Sequence, residues 1–179
     1  MGIRVDLTSQ KSGRRVKLLT QARLRRLFNY DPETGVFVRR VRRGNKRAGS
    51  VAGVGDGKGY IRIMVDGTQY RAHRLAWLYV TGKWPRKQID HVNCVKDDNR
   101  FDNLREASNT ENSRNAPTRA DNTSGHKGVY WHVMSGKWMA RITVDRRRVH
   151  LGIFAHLEDA AAAYVEASAR LHKDFGRVV

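Results

Sequence analysis

Between Ile89 and Asn115 the chain sets a carboxylate beside an imidazole, Asp90-His91. A loop containing Asp97-Asp98-Asn99-Arg100 follows, then the polar turn Asp102-Asn103-Leu104-Arg105 and a carboxamide at Asn112. Oxygen donors of this kind suit one hard divalent cation that keeps several waters and takes up substrate phosphate, which makes Asp90 and Asn112 candidate metal ligands. An imidazole titrates near neutral pH and can take a proton from water, which makes His91 a candidate base. A cation and a base beside a phosphate form a site for phosphodiester hydrolysis.

Neighbours in a regular strand point to opposite faces, so a strand carrying Asp90 and His91 must twist or end there for the two to work together. Ser108 and Glu111 have capping-box spacing and predict a helix from Asn109, with Asn112 on its first turn and Pro117 limiting its length. The stretch therefore reads as strand, loop, short strand, helix.

Asp90-His91, Asp97-Asp98-Asn99-Arg100, Asp102-Asn103-Leu104-Arg105 and Asn112 together resemble the HNH endonuclease family, especially the phage and intron-encoded homing type. The resemblance implies a ββα-metal fold. By that likeness His91 is the general base, Asp90 and Asn112 hold one divalent ion, and Asn103 braces the loop that aims His91. The last letter of the family name is here Asn rather than His. Oxygen donors favour Mg²⁺ or Mn²⁺ over a thiolate-preferring metal.

The chain has 179 residues and a formal net charge of +18, which points to a polyanionic partner, nucleic acid first. Its one cysteine, Cys94, excludes an intrachain disulfide and a four-cysteine zinc site. No apolar run is long enough to span a membrane, and the first residues lack the apolar core of a signal peptide, so a cytoplasmic location is expected.

Residues 1–19 read as a basic arm. Thr20 can cap a helix over 21–28, Asp31 to Gly35 form a turn, and Val36 to Val38 a short strand. Arg39, Arg40, Arg42, Arg43, Lys46 and Arg47 follow with no acid among them, a pattern expected to track a phosphate backbone. Gly53, Gly55, Gly57 and Gly59 read as a flexible link. Tyr60 to Arg71 form a hairpin turning at Asp66-Gly67, and a mostly apolar helix from His73 stops at Gly82. His73 is expected to be structural or to contact phosphate. Residues 117–125 read as a linker.

Beyond it, three strands with turns at Ser135-Gly136 and Asp145-Arg146-Arg147 precede an amphipathic helix over 157–172. Alternation turns Val129, Trp131, Trp138, Ala140, Ile142, Val144, Val149 and Leu151 toward the helix. Tyr130, His132, Arg141, Thr143, Arg148 and His150 face away, a basic and aromatic set able to enter a DNA major groove. Lys127-Gly128-Val129, Gly136-Lys137-Trp138 with Ala140, Leu151-Gly152 with Phe154, and Glu158 to Tyr164 resemble the plant ethylene-responsive-factor (ERF) type DNA-binding domain. By that likeness Lys127, Tyr130, His132, Arg141, Thr143, Arg148 and His150 fall where the family contacts DNA. The plant pattern has Arg at the places of Lys127, Tyr130, His132 and Thr143 and Trp at that of His150, so the fold carries over and the plant target does not.

The expectation is an α+β chain in five parts: a basic arm (1–19), a basic helix and strand segment (20–59), a ββα-metal nuclease module (60–116), a linker (117–125), and a three-stranded antiparallel sheet packed on one helix (126–179). The expected function is that of a monomeric homing-type endonuclease that nicks double-stranded DNA with one metal ion. Its rivals are a DNA-binding regulator with an inactive nuclease module and an RNA-binding protein of the translation machinery.

Overall fold

The structure, a computed structural model, describes residues 18–172 and 175–176, so the expected arm lies outside it apart from Leu18 and Leu19. Helices and antiparallel sheets mix along the described chain, as an α+β reading requires. The Thr20 hydroxyl accepts the amide of Arg23 and starts α1 (Gln21–Leu27), whose Leu24 and Leu27 are buried. Strands β1 (Phe28–Tyr30), β2 (Phe37–Arg39) and β3 (Val51–Ala52) form a small sheet.

The glycine-rich stretch is not a flexible link. β4 (Val54–Gly55) pairs with β5 (Ile61–Val65), and the Asp56 carboxylate accepts the amides of Lys58 at 2.8 Å and Tyr60 at 3.0 Å. That side chain closes the turn which the glycines alone would leave open. Asp66 and Gly67, at φ 47° and 85°, form the two-residue turn from β5 to β6 (Thr68–Arg71), where both central residues need positive φ. α2 (Ala72–Thr81) follows and stops at left-handed Gly82. β7 (Gln88–His91) and β8 (Leu104–Ala107) pair antiparallel, and α3 (Asn109–Asn115) begins with the Ser108–Glu111 capping box in place.

One apolar core runs from Leu19 to Leu104, with Leu24, Phe37, Ile63, Leu75 and Leu78 at its centre. The segments expected as 20–59 and 60–116 thus bury their apolar faces against each other. The N-terminal part also grips the loop after β7. The Tyr30 hydroxyl donates to the Asn99 carbonyl at 2.7 Å, and the Phe101 amide donates to the Pro32 carbonyl at 2.9 Å. Gly35, at φ +73°, lies so close that an added Cβ would sit 2.5 Å from Asn99 C and Arg100 N. Gly35→Ala is therefore expected to destabilise the chain by at least the roughly 1–3 kcal/mol of a strained backbone residue. Chemical denaturation checks this, with Gly44→Ala, whose Cβ meets nothing within 4 Å, as the control for left-handed strain without a clash.

In the C-terminal part β9 (Val129–His132), β10 (Lys137–Val144) and β11 (Arg147–Phe154) form a sheet in the order β11-β10-β9, covered by α4 (Leu157–His172). Val129, Ala140 and Ile142 pack on Ala160, Tyr164 and Ala167. Two residues expected to be covered are not: Trp131 is 47% and Val149 39% exposed. Both lie on outer strands, Trp131 edge-on to Trp138 at 5.1 Å, where one helix is too narrow to cover them.

The stretch expected as a linker holds ordered turns, with Asn122 Oδ1 accepting the amides of Ser124 and Gly125. The C-terminal sheet touches the preceding part directly. Arg114 pairs with Asp145 at 3.4 Å, Lys127 Nζ donates to the carbonyls of Arg114 and Ala116 at the end of α3, and Arg105 Cζ lies 3.8 Å from the Phe175 ring centroid.

Candidate active site

The β7–β8 ladder places Asp90 opposite Arg105 and His91 opposite Leu104. Asp90, 4% exposed, accepts from Arg105 Nε at 2.9 Å and from Asn115 Nδ2 at 3.0 and 3.2 Å. A carboxylate can be buried this way because a guanidinium and a carboxamide replace its water. The Asn115 amide also donates to the His91 carbonyl at 2.9 Å, so α3 is fastened to the end of β7. Cys94 Sγ donates to the Asn115 carbonyl at 3.1 Å, which accounts for the lone thiol as part of this fastening.

His91 is 5% exposed and turns toward α2, where its ring meets His73 edge-to-face at 5.0 Å and Tyr60 at 6.0 Å. Its Nε2 has no protein partner, and neither has His73 Nδ1. Burial lowers the pKa of His91 below that of a free imidazole, against the opposing pull of Asn99, Asp90, Asp98 and Asp97. Burial likewise pushes His73 down to about 3. Both rings are thus neutral near pH 7, the form in which an imidazole nitrogen can accept a proton.

The strand ends at His91, yet Asp90 and His91 still turn to opposite sides of it. The Val92 amide donates to the Asn103 carbonyl, and Cys94 takes a left-handed φ of 64°. Asn103, 6% exposed, closes the following loop: its Oδ1 accepts the Asn93 amide at 3.0 Å and its Nδ2 donates to Asn93 Oδ1 and the Asp98 carbonyl. Asp98 pairs with Arg100 at 2.7 Å, and that partner holds its carboxyl down at about 2.

The expected site residues therefore fall on two sides of one strand. Asp90 meets α3; His91 meets α2. The Asn112 side chain is bonded to Gln88 instead, its Nδ2 donating to Gln88 Oε1 at 3.1 Å. Gln88 and Asp90 share a face of β7, and Asn112 and Asn115 share a face of α3, so the helix lies along the strand with Asn115 at the carboxylate and Asn112 one step back. Among the described residues no three His, Cys, Asp or Glu side chains gather as a metal cluster. The donor set is one carboxylate with nearby carboxamides, which fits a hard cation filling its remaining positions with water and phosphate. Asn115 and Arg105 have no role in the sequence reading, though the i, i+3 spacing of Asn112 and Asn115 and the hairpin register opposite Asp90 point to them.

On the C-terminal sheet, Arg141 pairs in register with His150 and Thr143 with Arg148. Arg141 lies 4.2 Å over the Tyr130 ring, and the Tyr130 hydroxyl donates to Met139 Sδ. His132 Nδ1 meets the Ser135 hydroxyl at 2.9 Å. Thr143, Arg148 and His150 are exposed. Lys127 Nζ is bonded to the carbonyls at the end of α3. In the basic loop, Arg39 donates to the Val51 carbonyl, Arg40 to that of Arg25 and Arg42 to that of Gly44, while Arg43 pairs with Asp66 at 2.7 Å. The run that lacks an acid in sequence thus borrows one from the β5–β6 turn.

The HNH endonuclease family matches residues 70–114, which hold α2, the β7–β8 hairpin and most of α3. The chain is 32% identical over 108 residues to Protein 3.8 of Escherichia phage T7, covering 60% of this chain and 88% of that relative. No solved structure matches the chain.

Proposed function

The chain belongs to the family of Protein 3.8 of phage T7 and carries an HNH endonuclease domain over residues 70–114; from that premise we propose that it is a metal-dependent endonuclease that nicks double-stranded DNA. One observation carries the reading: a buried, neutral His91 with an unpartnered Nε2 sits one residue from a buried carboxylate, at the end of a hairpin whose loop Asn103 holds shut. His91 takes the proton of the attacking water, and the Asn103-stapled loop fixes where its ring points. Asp90, with Asn112 once it leaves Gln88, would hold one Mg²⁺ or Mn²⁺, which would neutralise charge building on the phosphate and the leaving oxygen. Arg105 and Asn115 hold the Asp90 carboxylate in place. In this reading the fold of 88–115 is the ββα-metal arrangement of homing-type HNH enzymes.

The sheet of β9–β11 reads the target. Its ERF-like face offers Arg141, Arg148 and His150 to base edges and Tyr130, His132 and Thr143 beside them, while Arg39, Arg40, Arg42 and Arg43 add backbone contacts. With one base and one metal position, a monomer breaks one strand per binding event. The second reading, a DNA-binding regulator with a silent nuclease domain, draws on the occupation of Asp90 by Arg105 and Asn115. Supercoiled plasmid and a defined duplex, incubated with and without chelator, separate the two: Mg²⁺-dependent nicking is expected, and tight binding without any cleavage would establish the regulator. Arg148→Ala is expected to cost about 1–3 kcal/mol at one base position and to relax preference there, whereas a uniform loss over all sequences would make Arg148 a phosphate contact.

A further inference from the structure

One aromatic ring beside His91 carries two cations. Arg71 Cζ lies 4.1 Å and Lys96 Nζ 5.3 Å from the centroid of the Tyr60 ring, which is itself 6.0 Å from the His91 ring. The three residues come from separate places: Tyr60 precedes β5, Arg71 ends β6, and Lys96 lies in the loop stapled by Asn103.

Arg71 stands directly across the ladder from Arg62, a pairing of like charges that opposes the strands. Asp56 relieves it by pairing with Arg62 at 3.8 Å, and its side chain is only 4% exposed. Asp56 also feels the charge of Arg71, yet among the described residues neither Arg71 nor Lys96 forms an ion pair. Lys96 is nonetheless held: Nζ donates to the Lys58 carbonyl at 3.0 Å, and its stem lies 3.4 Å from where a Cβ at Gly59 would be. Both residues are exposed. Two positioned cations, facing solvent next to a buried imidazole with a free nitrogen, are complementary to a phosphate and to the charge it gains when attacked.

We propose that Arg71 and Lys96, seated on Tyr60, form a phosphate clamp that grips the DNA backbone against His91. The clamp rests on the nuclease reading above and names the part of its substrate that it holds. Tyr60 is a positioning residue: its ring fixes both cations and touches no phosphate.

The test pairs protein variants with duplexes bearing a single uncharged methylphosphonate at successive positions. Arg71→Gln and Lys96→Met should each lower cleavage roughly 10²–10³-fold, in the range seen when one donor to a developing charge is removed. Arg71→Lys should restore part of it, and Arg119→Gln, which removes an exposed cation paired with Asp121, should change nothing. In the wild type, one methylphosphonate position should weaken binding measured in chelator, and that penalty should disappear in the double variant.

Wild-type cleavage by both single variants, with cleavage by His91→Ala strongly reduced, would overturn the clamp and leave the nuclease reading standing. Should the wild type fail to cleave at all, the nuclease reading falls. The binding arm then decides the clamp: a methylphosphonate penalty unchanged by the double variant rejects it. Unchanged thermal midpoints distinguish loss of contact from loss of fold.

Discussion

His91→Ala is expected to lower the turnover of duplex cleavage by roughly 10²–10⁴-fold, the usual contribution of a positioned general base. DNA affinity should stay near that of the wild type, because His91 is 5% exposed and packs against His73 and Tyr60. Truncating a buried ring also opens a cavity between α2 and β7, so stability falls by a few kcal/mol, about as for other large-to-small core changes. His91→Gln fills most of that space without supplying an effective base, and should match the alanine variant in turnover while recovering stability. Cleavage near the wild-type rate in both variants removes His91 from the chemistry.

Asp90→Asn keeps the shape of the side chain and removes its charge. Cleavage should disappear at metal concentrations that saturate the wild type, just as chelator stops the wild type. Arg105 then loses its anionic partner at 2.9 Å, a charge-assisted bond whose loss costs about 1–3 kcal/mol. The two carboxamides of α3 should separate in the same assays. Asn112 is half-buried with one bond to Gln88, so Asn112→Ala should weaken the metal response with little loss of stability. Asn115 donates to Asp90 and to the carbonyls of His91 and Val92, so Asn115→Ala should destabilise the end of β7 as well. A wild-type metal response in Asn112→Ala, with loss in Asn115→Ala, transfers the ligand role to Asn115.

These distinctions mark the limit of the sequence reading. The helices and most strands are legible because their signals are local: Thr20 before α1, Asp66-Gly67 between β5 and β6, Gly82 after α2, and the Ser108–Glu111 box before α3. The site's chemical types are legible too, since Asp90, His91 and Asn103 carry their chemistry in any register. What escapes is set by long-range packing. Whether Asn112 or Asn115 meets Asp90 depends on how α3 slides along β7, a matter of one helical turn. The strand pairing of 54–55 is masked by glycines, and the acid that serves Arg43 lies at Asp66, 23 residues on. Trp131 and Val149 obey the alternation of their strands yet stay exposed, because alternation tells which face a residue takes and not how far one helix reaches across it.

The seam between the C-terminal sheet and α3 has a geometric meaning. Asp145 at the β10–β11 turn, Lys127 before β9 and Phe175 after α4 hold to Arg114, the end of α3 and Arg105, and Arg105 holds Asp90. If the sheet reads bases and the Asp90–His91 strand breaks the backbone, the span between the two is a built-in dimension of the chain, like the gap of a calliper. The cut then falls a constant number of base pairs from the bases that are read. A new target can be acquired by replacing residues such as Arg148 and His150 on the outer face, while the gauge that sets where the strand is broken stays as it was.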